Sequence, residues 1–168
     1  TGATGATGPQ GPATSDSELL ALIDQALAGT PATAESIAKG GRLYDKWVKE
    51  AGVAQPAGDQ ALWALQTSNV RTGGDTYRCK ECHGWDYKGI GGAYSKGSHK
   101  TGFTGVIEAS ATMSKEELLG VMQGSQDYRH NFSAMGADNL AALVSFLSEG
   151  LTNDTMYINY ATKAPIGA

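Results

Sequence analysis

The chain has 168 residues, enough for one domain with extensions, and its 23 glycines are about twice the average share. Thirteen Lys and Arg against seventeen Asp and Glu leave a net charge of −4, which offers no basic field for nucleic acid or anionic lipid. No apolar run approaches a membrane span, and charged residues make up only 18%, so much of the chain should be loop laid over an apolar body.

The chain begins at Thr1 with neither an initiator Met nor a signal peptide, and so reads as processed and exported. Gly2, Gly5, Gly8 and Gly11 recur every third position, which makes residues 1–14 a collagen-like segment or, alternatively, a flexible linker. Residues 15–32 should hold an extra N-terminal helix over 16–28. Ser15 or Asp16 would cap it, and Leu19, Leu20, Ile23 and Leu27 fall on one face. A second helix is expected over 33–51, with Ile37, Gly40, Gly41, Tyr44 and Val48 along one side and Trp47 beside them. Two glycines inside a helix cost about 1 kcal/mol each relative to alanine, so close approach of another helix is their expected reason. Residues 52–78 follow, with a turn at Gln55-Pro56-Ala57-Gly58 and a short apolar stretch around Trp63, which reads as core or as a wedge over a cofactor.

Cys79-Lys80-Glu81-Cys82-His83 is the attachment signature for c-type haem. Each sulfur adds to one porphyrin vinyl group, the two-residue gap lets the turn lie along one haem edge, and His83 falls under the iron. The competing readings are a zinc half-site, a redox dithiol and a structural disulfide. Zinc wants further paired ligands, whereas the chain has only these two cysteines, and His99 and His130 stand alone. A thioredoxin-like dithiol wants a βαβ pattern that is not visible. Arg71, Trp85 and Tyr87 lie near the motif and have polar tips suited to haem propionates.

Residues 84–99 are loop by composition, and His99 sits in a run that reads as solvated surface. Lys88, Lys96 and Lys100 form a local positive patch for an acidic redox partner or, more plainly, a solvated face. Ser114-Lys115-Glu116-Glu117 is a capping box that opens a helix closed by Gly124. An amphipathic helix is expected over 137–148, carrying Leu140, Leu143, Val144, Phe146 and Leu147. Residues 151–168 form a C-terminal arm or a tail packed on its own domain, with a short strand near Met156-Tyr157-Ile158.

Gly40-Gly41-Arg42-Leu43-Tyr44, the haem motif and the helix ending at Phe146-Leu147 together resemble class I cytochromes c over residues 33–150. The resemblance implies a mainly α, class I-like helical haem domain with one haem c, in which Leu143 and Phe146 meet Gly40 and Tyr44. This chain departs from the family in the long insertion before the motif. Family members generally take a methionine as distal ligand from the loop before the last helix, which points to Met135. The family spacing between that ligand and the crossing aromatic instead selects His130, sixteen residues ahead of Phe146, over Met135, eleven ahead. Met113, Met122 and Met156 are weaker candidates. The expected metal ligands are therefore His83 and His130, with Cys79 and Cys82 holding the porphyrin. A bis-histidine iron is closed to substrate and implies electron transfer with redox partner proteins in a periplasmic or extracellular compartment. The alternatives are a haem enzyme, such as a peroxidase or sulfur-compound oxidoreductase, or a gas-binding sensor. The glycine period and the arm further imply a homo-oligomer or filament joined through the termini.

Overall fold

Thr33 opens the first helix of the computed structural model, which describes residues 31–159, 161–162 and 164–167. Its hydroxyl accepts the Ser36 N–H at 3.1 Å, satisfying one donor that a helix start leaves orphaned, and α1 runs Ala34–Ala51. Gly52, with φ 67°, ends it in the left-handed conformation favoured after a helix. Lys46 departs from helical geometry (φ −153°, ψ 74°), so α1 kinks between Asp45 and Trp47. The collagen-like or linker segment at 1–14 and the helix expected over 16–28 lie outside the described residues.

The last α-helix, α5 (Ala137–Ser145), crosses α1 at Gly40. A side chain at Gly40 would overlap the Ala142 carbonyl oxygen and Phe146 Cβ, so the two backbones meet where the Cβ is missing. This is the close approach the glycine pair called for, with the Ala142 backbone and Phe146 sitting on Gly40. Phe146 also packs on the Tyr44 ring, with centroids 5.8 Å apart. The helix expected to reach residue 148 stops as an α-helix at Ser145 and widens into a π turn, Phe146–Gly150. There Gly150 comes against Ile37 of α1.

Three shorter helices complete the described helical framework: α2 (Cys79–His83), α3 (Ile107–Thr112) and α4 (Lys115–Met122). The capping box is present at α4, where Ser114 Oγ accepts from Glu117 N at 3.2 Å and Glu117 Oε2 accepts from Ser114 N at 2.7 Å. Leu118, Leu119 and Met122 of α4 join Leu43, Trp47, Leu140 and Val144 in one core. Each fully buried side chain of this size contributes about 1.5–3 kcal/mol.

Residues 52–78 form two 3₁₀ turns, Ala61–Leu65 and Gly73–Tyr77, joined by a hydrogen bond from Gln60 N to Thr76 Oγ1 at 2.8 Å. Trp63 is core, its Nε1–H donating to the Arg71 carbonyl at 2.9 Å. The C-terminal arm is a small antiparallel hairpin, β1 (Ile158–Asn159) and β2 (Ala164–Pro165), with Ile158 opposite Pro165. Its root is tied to the 84–106 loop by an ion pair between Lys88 and Asp154. The chain is thus mainly α, and among the described residues no helix is long and apolar enough to cross a membrane.

Candidate functional site

The five residues of α2 are held from both ends by α1. Trp47 Nε1–H donates to the Tyr77 carbonyl at 2.9 Å, and the buried Tyr44 hydroxyl donates to the Gly84 carbonyl at 2.8 Å. Arg78, just before the motif, donates through Nε to the Asp45 carbonyl at 2.9 Å and pairs with the Asp45 and Asp75 carboxylates. Lys80 adds a second cation to Asp45 at 2.8 Å.

A cavity opens beside α2. Cys79, Cys82 and His83 line it together with apolar side chains that include Val106, Met113, Leu118, Met122 and Leu143, and with His130. His130 is carried by the loop between α4 and α5, and Phe132 packs edge-on against its ring at 4.9 Å.

The two imidazole rings lie with centroids 6.2 Å apart and planes at 76°. His83 Nδ1 lies 2.7 Å from the Thr104 carbonyl oxygen and His130 Nδ1 lies 3.0 Å from that of Val121. A carbonyl only accepts, so Nδ1 carries the proton in each neutral ring and Nε2 keeps its lone pair. Burial pushes the His83 imidazole down to about 4, with His130 adding to the drop and the Thr104 hydrogen bond opposing it. At neutral pH His83 is the uncharged ring that ligates metals.

Burial pushes both the Cys79 and Cys82 thiols up to about 12. A redox dithiol needs the opposite, a lowered thiol pKa, and the two cysteines are free rather than bridged. Among the described residues no three His, Cys, Asp or Glu side chains converge on one ion position. What the protein brings together is a pair of nitrogen donors, not a four-ligand zinc cage.

These residues fit a haem. Metal–nitrogen bonds of about 2 Å, plus about 1.1 Å from Nε2 to each ring centre, separate coaxial imidazoles by roughly 6 Å. The observed 6.2 Å matches. The protein offers two donors across the gap, leaving the remaining coordination positions to a planar ligand whose apolar body suits the lining and whose edge the two thiols can hold.

Other expected site residues fall elsewhere. Met135 is 1% exposed and belongs to the core, outside the cavity lining, whereas Met113 and Met122 line the cavity. Met156 is exposed on the arm. Arg71, Trp85 and Tyr87 do not line the cavity. Arg71 Nε is 3.4 Å from Glu81 Oε2, Trp85 stacks under the Lys80 ammonium, and Tyr87 packs on Tyr44 and Phe146.

The polar lining instead includes Gln60, Thr76, Arg78 and Gln126. Of these only Arg78 carried a sequence signal, its place beside Cys79. His99 is not simply solvated: its ring lies 5.0 Å from that of the buried Tyr94 and Nδ1 lies 3.6 Å from Glu81 Oε2. Lys88 is engaged with Asp154, which takes one member from the expected lysine patch. Comparison with protein-family models, with curated proteins and with solved structures finds no match to this chain.

Proposed function

We propose that the protein is an electron carrier with one haem c, attached through Cys79 and Cys82 and ligated by His83 and His130, in a class I cytochrome c-like domain. The observation that carries this reading is the pair of imidazoles with centroids 6.2 Å apart, each ring oriented by a backbone carbonyl, beside two free thiols. When bound, haem supplies a one-electron ferric/ferrous couple. The chain's own residues would hold such a group through His83 and His130, each with Nδ1 toward a backbone carbonyl, would surround it with apolar side chains, and with both donors engaged would leave no iron position for substrate. That closure favours a carrier over a peroxidase, a sulfur-compound oxidoreductase or a gas sensor.

Electron exchange would then be with redox partner proteins in a periplasmic or extracellular compartment. Self-association through residues 2–13 and the C-terminal arm would bring haems of neighbouring copies within exchange distance.

The test is the alkaline pyridine spectrum, which reports thioether-linked haem, followed by carbon monoxide on the reduced protein. A haem c spectrum with no rapid response to carbon monoxide is expected. Rapid binding overturns the carrier reading in favour of an enzyme or sensor, and absence of covalent haem overturns the cofactor assignment.

A further inference from the structure

The carbonyl that orients His83 belongs to a second pass of chain, and two glycines decide how near that pass comes. Residues 87–90 and 103–106 run against each other as a short antiparallel ribbon. Ile90 N donates to the Phe103 carbonyl at 2.8 Å, Val106 N donates to the Tyr87 carbonyl at 2.8 Å, and Gly89 pairs with Thr104. The same ribbon holds His83 twice. Gly89 N–H donates to the His83 carbonyl at 2.8 Å, and His83 Nδ1–H donates to the Thr104 carbonyl at 2.7 Å.

Neither glycine has room for a methyl group. A Cβ on Gly105 would stand 2.5 Å from Lys88 Cα and overlap the Tyr87 carbonyl oxygen. A Cβ on Gly89 would stand 2.5 Å from the Thr104 carbonyl carbon and overlap the Phe103 oxygen, on a backbone with φ 51°. All these neighbours are backbone, which cannot swing aside as a side chain does. Tyr87 itself is held at φ 61°, a costly conformation for an aromatic residue that persists only where surrounding contacts fix it.

We propose that Gly89 and Gly105 are positioning residues for His83: bare backbone at both sites lets the Thr104 carbonyl reach the ring nitrogen and set the ring's tautomer and angle. The inference rests on the reading of His83 as an iron ligand. A carbonyl accepting from Nδ1–H makes the other nitrogen a stronger donor, which favours the oxidised metal. Forcing the ribbon apart therefore moves the reduction potential upward.

The experiment compares Gly105→Ala with Gly97→Ala in the haem-loaded protein. Gly97 lies in the same loop, with φ 82° and nothing within 4 Å of an added Cβ, so its variant carries backbone strain without displacing the ribbon. With covalent haem verified by mass in all samples, Gly105→Ala is expected to show a more positive potential and an altered low-spin resonance spectrum, and Gly97→Ala neither. Unchanged potential and spectrum in Gly105→Ala overturn the positioning role while leaving the carrier reading intact. A wild-type chain without thioether-bound haem overturns the carrier reading first. Should Gly105→Ala fail to accumulate, the wild-type reduced protein decides. A His83 ring N–H that exchanges slowly with deuterium supports the inference, and one that exchanges as fast as a solvent-exposed imidazole overturns it.

Discussion

Tyr44 on α1 and Gly84, the residue after His83, are joined by a buried hydrogen bond of 2.8 Å although forty positions separate them. Burial drives the Tyr44 phenol far above its usual pKa, so it donates at every accessible pH. Tyr44→Phe removes the donor and leaves a buried carbonyl unpaired, for an expected loss of about 1–3 kcal/mol in denaturant unfolding.

The crossing of α1 and α5 predicts a contrast between adjacent glycines. At Gly40 an added methyl group meets the Ala142 backbone, whereas at Gly41 it meets only the Phe146 ring, at 3.3 Å. Gly40→Ala should lose about 1–3 kcal/mol through overpacking. Gly41→Ala should lie near neutral, because helix propensity returns about 1 kcal/mol and the ring can give. Paired thermal melts check the difference.

His130→Ala and Met135→Ala should separate ligation from packing. On the proposed ligation, removing His130 is expected to open the iron to carbon monoxide, with a loss of stability confined to its edge-on contact with Phe132 and its bond to the Val121 carbonyl. Met135 is 1% exposed, so its truncation should cost about 2–5 kcal/mol and leave ligation untouched. The near-infrared spectrum of the oxidised protein is the check. A sulfur-to-iron band in the wild type that only Met135→Ala abolishes would reverse the assignment. With haem bound as proposed, the 76° between the ring planes predicts a strongly anisotropic low-spin resonance signal.

Burial alone would raise the Asp45 carboxyl, yet hydrogen bonds from Lys80 and Arg78 outweigh it and hold the group below its ordinary pKa. A carboxyl lower in the folded than in the unfolded state gives stability that is full above the ordinary value, about 4, and lost as pH falls through the folded one. Asp45→Asn should therefore flatten the acid limb of the stability profile. Because Asp45 is 40% exposed, the expected loss at neutral pH is only about 1 kcal/mol, read from unfolding at a series of pH values.

Deleting residues 2–12 tests assembly. A drop in particle size by light scattering is expected, and a monodisperse monomer both before and after deletion would rule out self-association through this segment.

α1, the α4 capping box and the glycine crossing were legible because each is local chemistry at fixed spacing. The Thr104 and Val121 carbonyls were not, since any residue supplies a carbonyl and only the fold aims it. Gln60 and Thr76 reach the cavity from a segment of 3₁₀ turns, whose short periods leave little pattern to read. The partners of His99, whose side chain is 40% exposed, were not legible because Glu81, Arg71 and Tyr94 come to it from separate segments.

The positions Tyr44, Asp45 and Trp47 bind Gly84, Arg78 and Tyr77, bracketing α2 on both sides. Such a segment has no private opening mode. Exposing its amides to solvent requires α1 to leave, and α1 leaves only with the core that Leu43 and Trp47 anchor. Deuterium uptake at the hydrogen-bonded Glu81 and Gly84 amides is then governed by the whole molecule's unfolding equilibrium, and the segment and the fold behave as one cooperative unit.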